Sequence, residues 1–343
     1  MNLLNINKSS LISRDLSWLN FNYRVLDQVK NDNRNLLDRL KFLSIVSSNF
    51  DEFFEVRVGS LYNYIDSKKD RIDYSGMREK PFREYLLEKS KVFFDDFNNF
   101  FVSSIIPLME KEKIFIGDLD LLDNDGRKKV KKYFKKTIFP MITPMVFDSL
   151  HSFPILMNKV LIFGVVTKSK KKSSKNKISF IQIPQNIPRF FEYKINGKVY
   201  FIPIENIIRK YIKRFFKGIL IESISLFRII RNGDYTLEES EDIESNFLEE
   251  LKQKLKDRKF SRVVRLDIFT NYDQKVIKEL QKIFKIDEFN LMKLSEKSII
   301  DLSSISQVVN YDEFSELLPK YPPPIKPLGL NVSKEKNIFQ ILS

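Results

Sequence analysis

The hydrophobic period of this chain changes once along its length, and no other feature constrains the fold as much. From residue 14 to 110, apolar residues recur at spacings of three and four in LSWLNFNYRVLDQV, LLDRLKFLSIV, DEFFEVRVGSLYNYI and PFREYLLEKSKVFFDDFNNFFVSSII. That spacing gathers the apolar side chains into one stripe per helix, and such stripes leave water by packing on one another. The region is therefore predicted to be an antiparallel helical bundle. From 158 the runs shorten: KVLIFGVVT and KISFIQIP are rich in β-branched and aromatic residues and are joined by a Lys/Ser loop, the pattern of a hairpin. NGKVYFIPIE (196–205) reads as a strand leading into the helix ENIIRKYIKRFF. ISLFRIIRN (224–232) and VVRLDIF (263–269) read as further strands, ESNFLEELKQKLKDR (244–258) and KVIKELQKIF as helices. Hairpins mixed with helices predict an α+β domain built on a largely antiparallel sheet. The fold class expected is thus α+β multidomain, a helical bundle first and a mixed α+β domain after it.

Pro107 is expected to interrupt the last bundle helix. The apolar patch KIFIGDLDLL (113–122), a helix over 124–136 and the Pro-broken run TIFPMITPMVFD follow it. These marks place the domains at 1–110, 111–320 and 321–343. The last is a linker, since LPKYPPPIKPLGL carries five prolines, which favour extended backbone. Only SKEKNIFQILS follows it, too little to fold alone, so the chain reads as unfinished. No internal repeat is detected, which argues against a solenoid.

Composition narrows the function. There is no cysteine among the 343 residues, which excludes disulfides and thiolate metal sites and fits a reducing compartment, so a cytoplasmic protein is expected. No stretch approaches the roughly 20 apolar residues of a spanning helix. The net charge of +14 favours polyanionic partners. Two basic clusters stand out: a predicted loop with Lys168, Lys170, Lys171, Lys172, Lys175 and Lys177, and a predicted helix with Arg209, Lys210, Lys213, Arg214 and Lys217. A solvated loop and a favourable helix dipole account for both, and phosphate contact is the alternative.

Asn49 precedes an apolar helical run with Glu52 three residues on, the spacing of a capping box, and Ser48 with Asp51 gives a second register. A side-chain amide also offers the donor and acceptor that an adenine edge needs. The single histidine, His151, has no second His or Cys with which to hold a metal and is read as structural. The chain contains no GxxxxGK[ST], GxGxxG or GxSxG segment, so P-loop, Rossmann and serine-hydrolase chemistries lack their phosphate cradle or nucleophile.

An ordered series of segments resembles the N-terminal and head domains of the polyphosphate kinase family. RDLSWLNFNYRVLDQ (14–28) is similar to its opening helix and LLDRLKFLSIVSSNFDEFFEVRVGSL (36–61) to its most characteristic stretch. TPMVFDSLHSFPILMNKVLIFGV (143–165), IPQNIPRFF (183–191), FIPIENIIRKYIKRFFKG (201–218), FRIIRNGDYTLEESED (227–242) and RKFSRVVRLDI (258–268) follow in family order. The resemblance implies an enzyme that reversibly transfers the terminal phosphate of ATP to inorganic polyphosphate, with ATP as substrate and magnesium required. It implies one site residue in this chain, Asn49, against the adenine of ATP, with no catalytic residue and no metal ligand. The family's phosphohistidine lies in later phospholipase-D-like domains, and NIFQILS (337–343) resembles the first of these only at its start, so the chain alone is expected to be inactive. EFNLMKLSEKSIIDLSSI (288–305) departs from the family by lacking its usual glycine near 296–298. The resemblance further implies ATP and polyphosphate as partners and a homo-oligomer, without nucleic acid. The alternative is a non-enzymatic polyanion-binding module that uses the two basic clusters.

Overall fold

The computed structural model describes residues 12–67, 72, 76, 79–147, 152–168, 177–233, 261–295 and 297–317. His151, most of the basic loop, the helix expected over 244–258 and the Pro-rich linker lie outside these residues.

The helical region opens with α1 (Arg14–Lys30), whose first turn is capped by Ser13, and α2 (Leu36–Phe53), capped by the Asn35 side chain at 2.8 Å from the Asp38 amide. Each cap satisfies an amide that the helix itself leaves without a partner. From Leu36 the helix does not end until Asp66: α2 passes through a π turn (Phe54–Val58) into α3 (Gly59–Asp66). Likewise α4 (Glu79–Phe100) continues through a π turn (Phe101–Ile105) into α5 (Ile106–Lys111). Pro107 therefore does not interrupt the helix. It occupies the first turn of α5, where the π turn before it has already displaced the carbonyl that a proline ring would strike.

A small sheet follows, ordered β1 (Ile114–Ile116), β6 (Lys198–Pro203), β5 (Phe190–Ile195). Between β1 and the larger sheet lies α6 (Asn124–Tyr133), extended by a π turn (Phe134–Ile138). The larger sheet has six strands in the order β2 (Met145–Phe147), β4 (Lys177–Gln182), β3 (Leu161–Lys168), β7 (Leu220–Arg231), β8 (Val263–Phe269), β9 (Leu291–Leu294). All its pairings are antiparallel except β8 with β9. The hairpin of β3 and β4 and the strands β6, β7 and β8 follow the sequence expectation, whereas β5 and β9 were not legible as strands. Helices α7 (Ile204–Tyr211) and α8 (Gln274–Phe284) complete the domain.

Strand β3 shows how the layers stack. Leu161, Phe163 and Val165 join the core shared with the bundle, while Ile162 and Val166 join a second core with Val276, Ile277 and Leu280 of α8. Alternation along the strand thus buries both faces, one in the core that continues into the bundle and one under α8. Gly164 lies on the α8 side, where a Cβ would come within 2.7 Å of Val276 Cγ1. The last described segment returns to the bundle, where Ser44 Oγ donates to the Ser303 carbonyl at 2.8 Å and Ser298 Oγ to Asn98 Oδ1 at 2.8 Å.

Candidate nucleotide site

The segment SNFDEF lies inside α2, where successive side chains turn by about 100° and so face different neighbours. Phe50, Phe53 and Phe54 are buried, and Phe50 packs edge-on to Phe54 at 5.0 Å between ring centroids. Asp51 points to the six-stranded sheet, Glu52 to solvent, and Asn49 lies half-buried beside α1. The capping expectation for Asn49 with Glu52, and for Ser48 with Asp51, is overturned. The amides of this turn are already bonded within a continuous helix, so no cap is needed.

Asp51 belongs to a buried charge network that the sequence reading did not find. Arg228 donates through Nη1 and Nη2 to both Asp51 oxygens at 2.9 and 3.0 Å, and through Nε and Nη2 to Asp267 at 3.0 and 2.8 Å. Arg265 donates to Asp267 at 2.8 and 3.0 Å and also to Asp51, while its guanidinium lies 4.8 Å from the ring centres of both Phe50 and Phe54. Asp301 reaches Arg228 at 3.2 Å. Burial alone raises a carboxyl pKa, yet the attraction of Arg228 and Arg265 outweighs it and holds Asp51 below the ordinary range. Burial likewise opposes the charge of Arg228, and Asp51, Asp267 and Asp301 more than compensate, so its pKa is raised. With each carboxylate taken by a guanidinium, the network fastens the helix to the sheet and leaves no base for chemistry. The sequence did carry a signal: Arg228 stands within the apolar run Leu226–Ile230, and Arg265 and Asp267 within the otherwise apolar β8, and charges so placed are buried only when paired.

The π turn after Phe53 fixes the neighbouring loop. Its wider hydrogen-bond ring leaves the Glu55 carbonyl to accept from the Gly233 amide at 2.9 Å, and the Glu55 carboxylate binds Asn158 at 2.7 Å and Lys159 at 2.5 Å. One turn on, Asn232 Nδ2 donates to the Gly59 carbonyl at 3.2 Å and to Asn63 Oδ1 at 2.7 Å. Gly59 is required there, since a Cβ would stand 2.1 Å from Asn232 Oδ1.

Asn49 takes no part in the charge network. Its Nδ2 donates to Asn22 Oδ1 at 3.3 Å, and the buried Asn22 in turn donates to the Val46 carbonyl at 3.4 Å. The amide is thus oriented from α1, with no bond to its Oδ1 among the described residues. A separate cleft of about 570 Å³ lies between the bundle and α7, lined in part by Glu110, Asp118, Arg209 and Lys297, and Asn49 is not among its walls. Among the described residues there is no cluster of three or more His, Asp or Glu side chains suited to a metal ion, and no helix long and apolar enough to cross a membrane.

Comparison with known proteins accounts for both parts of the chain. Residues 11–117 match the polyphosphate kinase N-terminal domain and residues 125–308 the polyphosphate kinase middle domain. The chain is 33% identical to the polyphosphate kinase of Halalkalibacterium halodurans over 340 residues, covering 96% of this chain and 47% of that protein. It is 34% identical to that of Campylobacter coli, covering 94% of this chain and 45% of the relative. The crystal structure of polyphosphate kinase from Porphyromonas gingivalis shares the fold, with a TM-score of 0.74 at 20% identity over 94% of this chain and 44% of that one. The chain spans about half the length of the curated relatives it matches. It belongs to the polyphosphate kinase family, of which it carries the N-terminal and middle domains.

Proposed function

We propose that this chain supplies the nucleotide-positioning part of a polyphosphate kinase, which moves the terminal phosphate of ATP onto inorganic polyphosphate, and that Asn49 holds the adenine edge. The observation that carries this reading is the state of the Asn49 amide: oriented by Asn22, half-buried, and with its acceptor oxygen unused by the described protein. An adenine amino group is a donor suited to that oxygen. The π turn directly after this segment supports the reading as well, because such turns occur frequently at functional sites.

The chemistry itself is proposed to lie in the part of the family's length that this chain does not match. Phosphoryl transfer requires cations on the moving group and an in-line nucleophile. The described residues do not fit a resident magnesium ion, because Asp51, Asp267 and Asp301 all face guanidinium groups. Self-association is part of the same proposal, supported by the exposed apolar side chains Val146, Ile155 and Met157 around the edge strand β2. A cytoplasmic location is proposed on the cysteine-free composition.

Calorimetric titration of ATP into the purified chain and into its Asn49→Ala variant tests the assignment. The expected result is binding that weakens by about tenfold in the variant, the scale of one well-formed hydrogen bond to a ligand, with no polyphosphate synthesis by either protein. Equal affinity in the two would remove Asn49 from the site, and synthesis by the purified chain would overturn the placement of the chemistry.

A further inference from the structure

The fold brings two basic segments together that are far apart in sequence. On α6 and its π turn, Lys131, Lys132, Lys135 and Lys136 are all exposed. On α7 and the turn after it, Lys210, Lys213, Arg214 and Lys217 are exposed too. A seam of rings joins the segments: Phe134 lies 4.6 Å from Tyr211 and 5.9 Å from Phe215, and Phe139 lies 5.0 Å from Phe215, measured between centroids. The acids are confined to the start of each segment, Asp125 on α6 and Glu205 on α7, for no Asp or Glu occurs from 126 to 147 or from 206 to 221. None of the cations named makes an ion pair among the described residues, whereas their neighbour Lys129 pairs with Asp125 at 2.9 Å.

We propose that these two rows form one docking platform for a linear polyanion, and that its occupant is an inorganic polyphosphate chain. Like charges concentrated without compensation raise the free energy of the bare surface, and a multiply charged anion relieves it while releasing its own counterions. The row from Lys128 to Lys136 extends along about 12 Å of helix, too long for a single phosphate and suited to several in series. The composition favours a bare phosphate chain over nucleic acid. Nearly all the cations are lysines, which act as point charges, and the buried Phe134 holds Tyr211 and Phe215 by tilted and edge-on contacts, so the seam presents one exposed ring, Phe139, and no row of rings for successive bases. The proposal stands on this charge pattern and is independent of Asn49.

The test measures binding of the purified chain to long-chain polyphosphate, and to single-stranded DNA with the same number of phosphates, over a series of salt concentrations. Two triple variants of equal charge change are compared: Lys131→Glu/Lys135→Glu/Lys213→Glu on the platform and Lys275→Glu/Lys278→Glu/Lys282→Glu on α8. The platform variant is expected to lose tenfold or more in polyphosphate affinity and about two to three units of salt slope, with the α8 variant nearly unchanged. Equal losses in the two variants would reduce the effect to net charge and overturn the proposal. Preference for DNA in the parent protein would overturn the occupant. All the positions are exposed, and melting temperatures verify folding; should the platform variant melt early, glutamine at the same positions replaces glutamate and the same comparison decides. Asn49→Ala is expected to leave polyphosphate binding intact, which separates this result from the nucleotide assignment.

Discussion

Two polar residues on one turn of α2 meet opposite conditions. Asp51 is sealed against the sheet with both oxygens held by Arg228 and with Arg265 beside it. Asn49, on the neighbouring face, makes one bond to Asn22 and keeps an acceptor in reserve. The difference separates two uses of polarity. A buried group whose every valence is met inside the protein determines how the elements fit together. A half-buried group that is oriented but not saturated is available to a ligand. If that division is correct, substitutions on the Asp51 side damage the fold and those on the Asn49 side damage binding.

The largest expected effect is on the buried side. Arg228→Met leaves Asp51 and Asp267 short of a partner in a dry environment and should destabilise the protein by about 3–5 kcal/mol, measured by urea unfolding. A loss under about 1 kcal/mol would mean that the network behaves like a surface pair, and the comparison would fail. Next in size is the acid limb. The pKa of Asp51 is depressed in the folded state, so its contribution is complete above the ordinary carboxylate value and is lost as pH falls below about 4. Asp51→Asn should therefore flatten the pH dependence of stability in that range, and an unaltered slope would show that other carboxylates control it. Gly59→Ala forces a Cβ onto Asn232 and should cost about 1–3 kcal/mol, lowering the thermal midpoint; an unchanged midpoint would show that the loop after β7 yields freely. The smallest effect is assigned to Asn49→Ala, about 1 kcal/mol in stability, since it leaves the buried Asn22 Oδ1 without its donor. A much larger loss would make Asn49 architectural and erase the contrast.

Much of the fold was legible because burial imposes a period on sequence. Helices of the bundle and strands such as LIFGVV carry that period over enough residues to be read. The short β9 did not, because Leu291–Leu294 is a strand only through its parallel pairing with Leu266–Phe269, a relation that no local pattern contains. The capping reading of Asn49 failed for a related reason. Asx followed by an acid three residues on is a valid start signal, but it was outvoted by apolar residues that keep the helical spacing on both sides of it. Pro107 misled in the same way, since a π turn that no propensity scale marks makes room for it. Of the candidate site, Asn49 was singled out through resemblance alone. Arg228, Arg265 and Asp267 could have been noticed as charges within apolar strands, although their convergence on Asp51 depends on which strand lies under which helix.

The bond between Ser44 and Ser303 joins residues 259 positions apart. On the ribosome, at about 5–20 residues per second, that interval lasts roughly 13–50 s. For most of that interval the second helix stands ahead of its partners, for Arg228 is made 184 residues after Ser44 and Arg265 221 residues after it. The nascent bundle therefore waits with an apolar flank and an unpaired aspartate open to solvent. The contacts that bury this helix are completed only by residues made long after it, and the waiting interval, more than the finished structure, is when it depends on protection from aggregation.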